Sequence, residues 1–258
     1  MNYAFVTVLS TNDYYKGVIA LFESIKETKP KYERFVVLVN ETIREDIIQD
    51  FISRGYDVIR CKKMKFDFVK NEYNLHWENT FDKFSVFDLV QYDKMVYLDS
   101  DMLVTHNIDR LFELPHMSAV VAGKELSPDW NCLNSGLMVI VPKKDFSLQL
   151  IDTLKNTNYS NEIGDQDVIE TYFDWQSKGL AISENYNMFA NIVDYYINNL
   201  NYKKEEISVI HFIGTVKPWM LDKNQQELFR QDCLSNNKIH LLDYFDQYLS
   251  IINQIDNH

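Results

Sequence analysis

Short unbroken apolar runs alternate with segments whose apolar residues recur every three or four positions, and this alternation organises the start of the chain. Tyr3 to Ser10 (YAFVTVLS) is a β-rich apolar run, after which Val18, Leu21, Phe22 and Ile25 recur at the spacing of one helix face. Arg34 to Asn40 (RFVVLVN) predicts a second buried strand. The following ETIREDIIQDFISRG predicts a second helix, with Ile43, Ile47, Ile48 and Phe51 on one side and Gly55 at its C-terminal stop. YDVIRC predicts a third strand. Strands apolar along their whole length, separated by amphipathic helices, imply a parallel sheet covered on both faces. The chain is therefore expected to be an α/β protein with a Rossmann-like beginning.

The pattern then loosens. Residues 62–80 are irregular, FDKFSVFDLVQYD from Phe81 predicts a helix, and KMVYL from Lys94 predicts a strand that ends on Asp99 and Asp101. SAVVAGKE, NSGLMVIVPKK and EISVIHFIG read as strands, DFSLQLIDTLKN and GDQDVIETYFDWQ as helices. From Asn224 to His258 the tail reads as helical, its apolar stripe running through Leu241, Leu242, Phe245, Tyr248, Leu249 and Ile252. No low-complexity stretch interrupts this order and no repeat at about 20 to 50 residues is present, so a single compact domain is expected. Neither GxGxxG nor GxxxxGK[ST] occurs, so a nucleotide at the carboxyl ends of these strands would have to be held differently.

Composition narrows the partners. With 26 basic and 38 acidic residues the net charge is −12, which argues against nucleic acid and anionic membrane, since both need a basic footprint. Lys62-Lys63 and Lys203-Lys204 read as solvated faces. Cys61, Cys132 and Cys233 are too widely spaced for a disulfide framework or a metal pair, so a reducing compartment, the cytoplasm, is expected. The amino terminus has no basic region before its apolar run and reads as a strand of the fold. No run reaches the roughly 18 apolar residues that cross a bilayer.

Two constellations carry chemistry. Like charges two residues apart at the end of a buried strand point the same way and can converge on one point beyond the sheet edge if the chain leaves the strand there. A divalent cation offsets their repulsion, and hard oxygen ligands suit Mg²⁺ or Mn²⁺ with positions left for phosphate oxygens. A bare D-x-D also fits a turn with two solvated aspartates. In HFIGTVKPW, His211 ends an apolar run and could complete a carboxylate site, tilting it toward Mn²⁺. Lys217 offers a point charge to a phosphate, Gly214 allows close approach of the backbone, and Trp219 reads as a core anchor.

Six segments in order, FVTVLSTNDYYKG, YLDSDMLV, NIDRLFEL, CLNSGLMVIVP, GDQDVIE and HFIGTVKPW, together resemble the glycogenin-like retaining glycosyltransferases of family 8. The resemblance covers Tyr3 to Trp219. It implies a GT-A catalytic domain over residues 1–223, a mixed but mostly parallel sheet with helices on both faces, and a helical segment over 224–258 packed on it. It implies Asp99, Asp101 and His211 as ligands of Mn²⁺, with Mg²⁺ the weaker alternative, holding the diphosphate of a UDP-sugar. Ser100 belongs to the same donor site, and Gly214 and Lys217 resemble the residues that contact the diphosphate. Thr11, Asn12 and Tyr15 would surround the uracil and ribose. Tyr15 is the expected stacker, with Tyr14 the alternative because this chain is one residue shorter there. Lys83 resembles the lysine that reaches sugar and phosphate, while Asn134, Ser135, Asp165 and Gln166 would grip sugar hydroxyls. Asp165, Gln166 and Lys217 are the implied catalytic residues.

Cleavage at the anomeric carbon puts negative charge on the leaving oxygen, toward Lys217, and positive charge on the ring, toward Asp165. Retention then proceeds through a covalent intermediate on Asp165 or, the favoured course, by attack on the same face. Asp165 also stands where a carboxylate caps a helix. UDP-glucose is the implied donor. The acceptor is the chain's own tyrosine, Tyr195 or Tyr196 of VDYYINN, or a separate polyol, glycan or protein; a noncatalytic UDP-sugar-binding module is the alternative of a different class. Glu125 or Asp129 stands where glycogenins carry a sugar-contacting aspartate. A homodimer is expected by resemblance, and recruitment of glycogen synthase is not, because the chain ends soon after its catalytic body.

Overall fold

The structure, a computed structural model, describes residues 1–66, 69, 75–127, 129–159 and 162–256, so part of the irregular stretch 62–80 lies outside the described residues. The opening apolar runs form β1 (Tyr3–Leu9), β2 (Phe35–Val39) and β3 (Asp57–Arg60), with α1 (Tyr15–Glu27) and α2 (Glu45–Ser53) between them. These strands pair in parallel, and β1 takes β4 (Lys94–Leu98) in parallel on its other edge. Beyond β4 the sheet reverses. β7 (Asn134–Ile140) is antiparallel to β4, β6 (Ala119–Val120) is antiparallel to β7, and β8 (Ala181–Ile182) is parallel to β6, which gives seven strands in the order β3-β2-β1-β4-β7-β6-β8. The mixed, mostly parallel α/β architecture expected of the sequence is the one found.

Because side chains alternate across a strand, β1 sends Val6 and Val8 to one face and Phe5 and Leu9 to the other. The first face packs on α3 (Phe146–Asn156), α4 (Asp165–Phe173) and the aromatic residues Phe81, Phe84 and Phe87. The second packs on α1 through Val18, Leu21, Phe22 and Ile25 and on α2 through Ile47, Ile48 and Phe51. The α-helix expected from Phe81 is instead a 3₁₀ segment, Leu75–Asp88. Phe81, Phe84 and Phe87 suit the tighter turn: at three residues per turn a spacing of three aligns them in one row, whereas an α-helix would spread them over about 120°.

A second sheet joins β5 (Met102–Val104), β10 (Val209–His211) and β9 (Met188–Phe189), with β10 antiparallel to β5 and parallel to β9. The tail forms two helices, α6 (Lys223–Ser235) and α7 (Ile239–Asp256), separated near Asn237, whose left-handed backbone (φ 54°) suits an asparagine at a helix end. Leu241, Tyr244, Tyr248, Ile251 and Ile252 of α7 share a core with Leu103 of β5, Ile210 of β10, Ala20 of α1, and Val193 and Tyr196 of α5 (Val193–Asn199). Among the described residues no helix is long and apolar enough to cross a membrane.

Candidate active site

Strand direction brings the chemistry to one edge. β1 and β4 run parallel, so Thr11 and Asp99 leave the sheet together, and β7 runs the opposite way, so Asn134, Ser135 and Gly136 begin there. The Asp99 N–H donates to the Gly136 carbonyl at 2.8 Å. The chain turns through Ser100 to Asp101 and continues as β5, whose Met102 pairs with His211 of β10, and the Phe212 N–H donates to the Asp101 carbonyl. That antiparallel pair delivers a histidine from far along the sequence to the end of the D-x-D. At the same edge α4 begins with Asp165, whose N–H donates to Thr80 Oγ1 at 3.1 Å. A cavity of about 510 Å³ lies over these residues.

Its walls hold buried ion pairs. Asp101 faces His211 Nε2 at 3.1 Å through one oxygen and Lys217 Nζ at 2.6 Å through the other, and Lys217 also donates to the Phe212 carbonyl at 2.7 Å. Burial pushes the Asp101 carboxyl up, but His211 and Lys217 outweigh it and hold the group well below the usual carboxylate range. Lys83 reaches Asp165 at 2.7 Å, Asp99 at 3.2 Å and Ser135 Oγ at 3.0 Å. Burial lowers the Lys83 ammonium pKa, yet Asp165 and Asp99 carry it above its ordinary value. The Tyr97 phenol, pushed well up by burial and then by Asp99, donates to Asp99 Oδ1 at 2.6 Å. At the α4 start, Asp167 rather than Asp165 accepts the Gly164 N–H, leaving Asp165 to Lys83.

Every expected donor-site residue except Asn12 and Tyr15 lines this cavity. Asn12 turns the other way: its Oδ1 accepts from the Arg44 N–H at 2.9 Å, and its amide donates to the Thr42 carbonyl. Tyr15 packs against Phe51 and donates to Asp50 at 2.7 Å, whereas Tyr14 lines the cavity beside Trp219. Of the two tyrosines it is therefore Tyr14, at the turn just before α1, that faces the cavity. Gly214 sits at φ 92°, a conformation that favours glycine. Glu125 and Asp129 are exposed and outside the lining. Tyr196 is wholly buried and accepts from the Glu125 N–H at 3.2 Å, while Tyr195 is exposed and also outside the lining. Trp219 is half-buried, its indole N–H donating to the Asp13 carbonyl, and it stacks on Tyr248 of α7.

Sequence reading missed Trp77, Trp130, Phe189 and Thr80 in the lining and, behind it, Asn187. Nothing local marks them; a tryptophan or asparagine in a loop reads the same whether it faces a cavity or solvent. Asn134, expected to grip a sugar, lines the cavity; its Oδ1 accepts from Gly136 N–H and Asn187 Nδ2, and its amide donates to Gln166.

Ligand atoms of Asp99, Asp101 and His211 lie within 4.8 Å of one another. Two carboxylates and one imidazole fit Mn²⁺ better than Mg²⁺, and three protein ligands leave coordination positions for a diphosphate. Gly136 makes room for the set, because a Cβ there would lie 2.7 Å from His211 Cε1 and 2.8 Å from Asn134 Oδ1.

Residues 5–223 match the family described as Glycosyl transferase family 8. The chain is 30% identical to glycogenin-1 of Mus musculus over 237 residues, covering 86% of this chain and 67% of that protein. It is 29% identical to a putative UDP-glucuronate:xylan alpha-glucuronosyltransferase of Arabidopsis thaliana, covering 84% of this chain and only 34% of that one. The galactosyltransferase LgtC, solved with donor and acceptor sugar analogs, shares the fold with a TM-score of 0.68 at 17% identity, covering 98% of this chain and 96% of that one. By this match over residues 5–223, the chain belongs to glycosyl transferase family 8, the retaining glycosyltransferases.

Proposed function

We propose that this chain transfers a neutral hexose from its UDP conjugate to a separate acceptor, with Mn²⁺ held by Asp99, Asp101 and His211. The supporting observation is the convergence of these three ligands with Lys217, Lys83, Asp165 and Gln166 on one cavity. When bound, Mn²⁺ supplies a Lewis acid for the diphosphate. Lys217, on its flexible stem beside Asp101, carries positive charge toward the leaving phosphate, and the Gly214 backbone can approach it closely. Asp165 presents negative charge to the ring as it becomes cationic. Its Oδ2 is engaged by Lys83 at 2.7 Å, which weakens it as a nucleophile and favours same-face attack, with the leaving phosphate taking the acceptor's proton.

Two observations favour the finer choices. With Asp99 and Asp101 taken by the cation and Lys217 by the diphosphate, the rest of the lining sets Asp165 and Asp167 against Lys83, so a neutral hexose suits it better than a uronate; glucose is the one the resemblance to glycogenin implies. Tyr196 is buried and hydrogen-bonded, and Tyr195 stands outside the cavity, which favours a glycan, polyol or other protein as acceptor. A cytoplasmic homodimer is part of the same reading. Incubation with UDP-glucose or UDP-glucuronate, Mn²⁺ and a panel of glycan, polyol and protein acceptors, each against an acceptor-free control that reports hydrolysis, followed by intact mass of the chain and free UDP, tests it. UDP release from UDP-glucose without mass gain is expected. Stepwise hexose additions would overturn the separate acceptor, preference for the glucuronate would overturn the neutral donor, and binding without release would make the chain a noncatalytic module.

A further inference from the structure

Asn187 takes no part in the donor contacts assigned above, yet its side chain is fully buried between the metal ligand His211 and the donor-site residue Asn134. Its place follows from topology. β9 begins at the next residue and pairs in parallel with β10, with Phe189 opposite His211, so Asn187 arrives beside the imidazole. On the ring's other sides stand the Phe189 ring, edge-on at 5.7 Å, and Gly136.

Backbone donors fix the direction of every hydrogen bond in this line. The Ser135 N–H donates to Gln166 Oε1 at 3.2 Å, so the Asn134 group that faces the same oxygen at 3.3 Å is its amide nitrogen. The opposite atom, Asn134 Oδ1, accepts the Gly136 N–H at 3.0 Å and must therefore also be the acceptor for Asn187 Nδ2 at 2.8 Å. That leaves Asn187 Oδ1 toward His211 Nδ1 at 2.9 Å, an oxygen that can only accept, so Nδ1 carries the hydrogen. In the neutral ring the lone pair is then on Nε2, the nitrogen turned toward Asp101.

We propose that Asn187 is a positioning residue that holds His211 in the tautomer able to ligate the cation and, through Asn134, ties that ligand to Gln166 in the sugar-binding part of the cavity. The inference rests on the metal assignment above. Partners of this kind orient metal-bound histidines, and losing one typically weakens metal binding about 10- to 100-fold. Two substitutions separate the two links. Asn187→Leu removes both. Asn187→Asp keeps an acceptor for Nδ1–H but has no donor for Asn134.

The test is a Mn²⁺ titration of the full chain with UDP, following free Mn²⁺ by electron paramagnetic resonance, together with calorimetric comparison of UDP-glucose and UDP binding. Asn187→Leu is expected to weaken Mn²⁺ about 10- to 100-fold. Asn187→Asp is expected to hold Mn²⁺ within a few-fold of the parent while the affinity that UDP-glucose gains over UDP drops several-fold. Equal loss of Mn²⁺ binding in both variants, or none in Asn187→Leu, overturns the proposal. If the leucine variant does not fold, the aspartate variant decides alone, because weakened Mn²⁺ binding there is incompatible with the retained acceptor. Asp101→Asn is the control: if Mn²⁺ binding survives it, the metal assignment falls and the proposal with it, whereas binding that depends on Asp101 but not on Asn187 overturns the proposal only.

Discussion

Phe22 and Phe51 behind the sheet and Lys83 and Lys217 in the cavity at its edge are buried to similar depth, between 0% and 4% exposed. The phenylalanines are held by apolar neighbours, so any well-shaped hydrophobe satisfies them. Each lysine is held by carboxylates, Lys83 by Asp165 and Asp99 and Lys217 by Asp101, so that removing Asp101 strands the Lys217 charge. Burial is thus two different constraints in one molecule. In the core it stabilises through area and packing; in the cavity it keeps charges in low dielectric, where they act strongly on a diphosphate and a developing cation.

Asp101→Asn should give the largest effect. Stranding Lys217 is expected to destabilise the fold by about 3–5 kcal/mol in urea titrations, and Mn²⁺-dependent UDP release should fall at least about 100-fold. Replacing both partners, Asp101→Leu with Lys217→Met, should restore stability to within about 1 kcal/mol of the parent but leave the chain inactive; a single variant as stable as the parent would break the contrast. Phe51→Ala should lose a similar 3–5 kcal/mol while leaving the Mn²⁺ dissociation constant unchanged in the folded protein. A shifted constant would mean that core and cavity are not separable. Gly136→Ala pushes a methyl group against both regions at once, against His211 and Asn134 on one side and Met102 Cε on the other. It should destabilise by about 1–3 kcal/mol and weaken Mn²⁺ binding as well.

His116 gives the smallest effect and lies between the two cases. It is largely buried against Phe146 and Phe173, its Nδ1 accepts the Val141 N–H at 3.1 Å, and burial pushes its pKa down to about 4. Between about pH 6.5 and 4 the unfolded chain therefore binds the extra proton, so the stability His116 contributes is complete above about 6.5 and is lost as pH falls through that window. The loss should be at most about 2 kcal/mol after its partial exposure is discounted, and His116→Gln should flatten that part of a melting-temperature profile. His211, by contrast, has a carboxylate at 3.1 Å.

Much of the α/β order was legible because β1, β2 and β4 are apolar along nearly their whole length and the first two helices repeat apolar residues on one face, while β3, at the sheet edge, is only half-buried. Elements that depend on distant partners were not. Phe81, Phe84 and Phe87 recur in a way an α-helix can nearly accommodate, and only their common burial selects the tighter turn. Tyr14 and Tyr15 are adjacent and chemically alike, and only the start of α1 decides which of them faces the cavity. Asp99 and Asp101 announced themselves through two charges ending an apolar strand, whereas Asn187 carries no charge and no motif.

The sequence by itself determined which strands are buried, that two carboxylates leave one of them together, and to which family its ordered segments point. These are properties of neighbours along the chain, where periodicity and local charge are read directly. Only the tertiary structure decided that β10 lies antiparallel to β5, bringing His211 and Lys217 to Asp101, and that Asn187 stands behind His211 while Tyr196 is sealed in the core. Those relations depend on strand pairing and on the direction of hydrogen bonds between residues far apart in the chain, and both are settled only when the backbones meet.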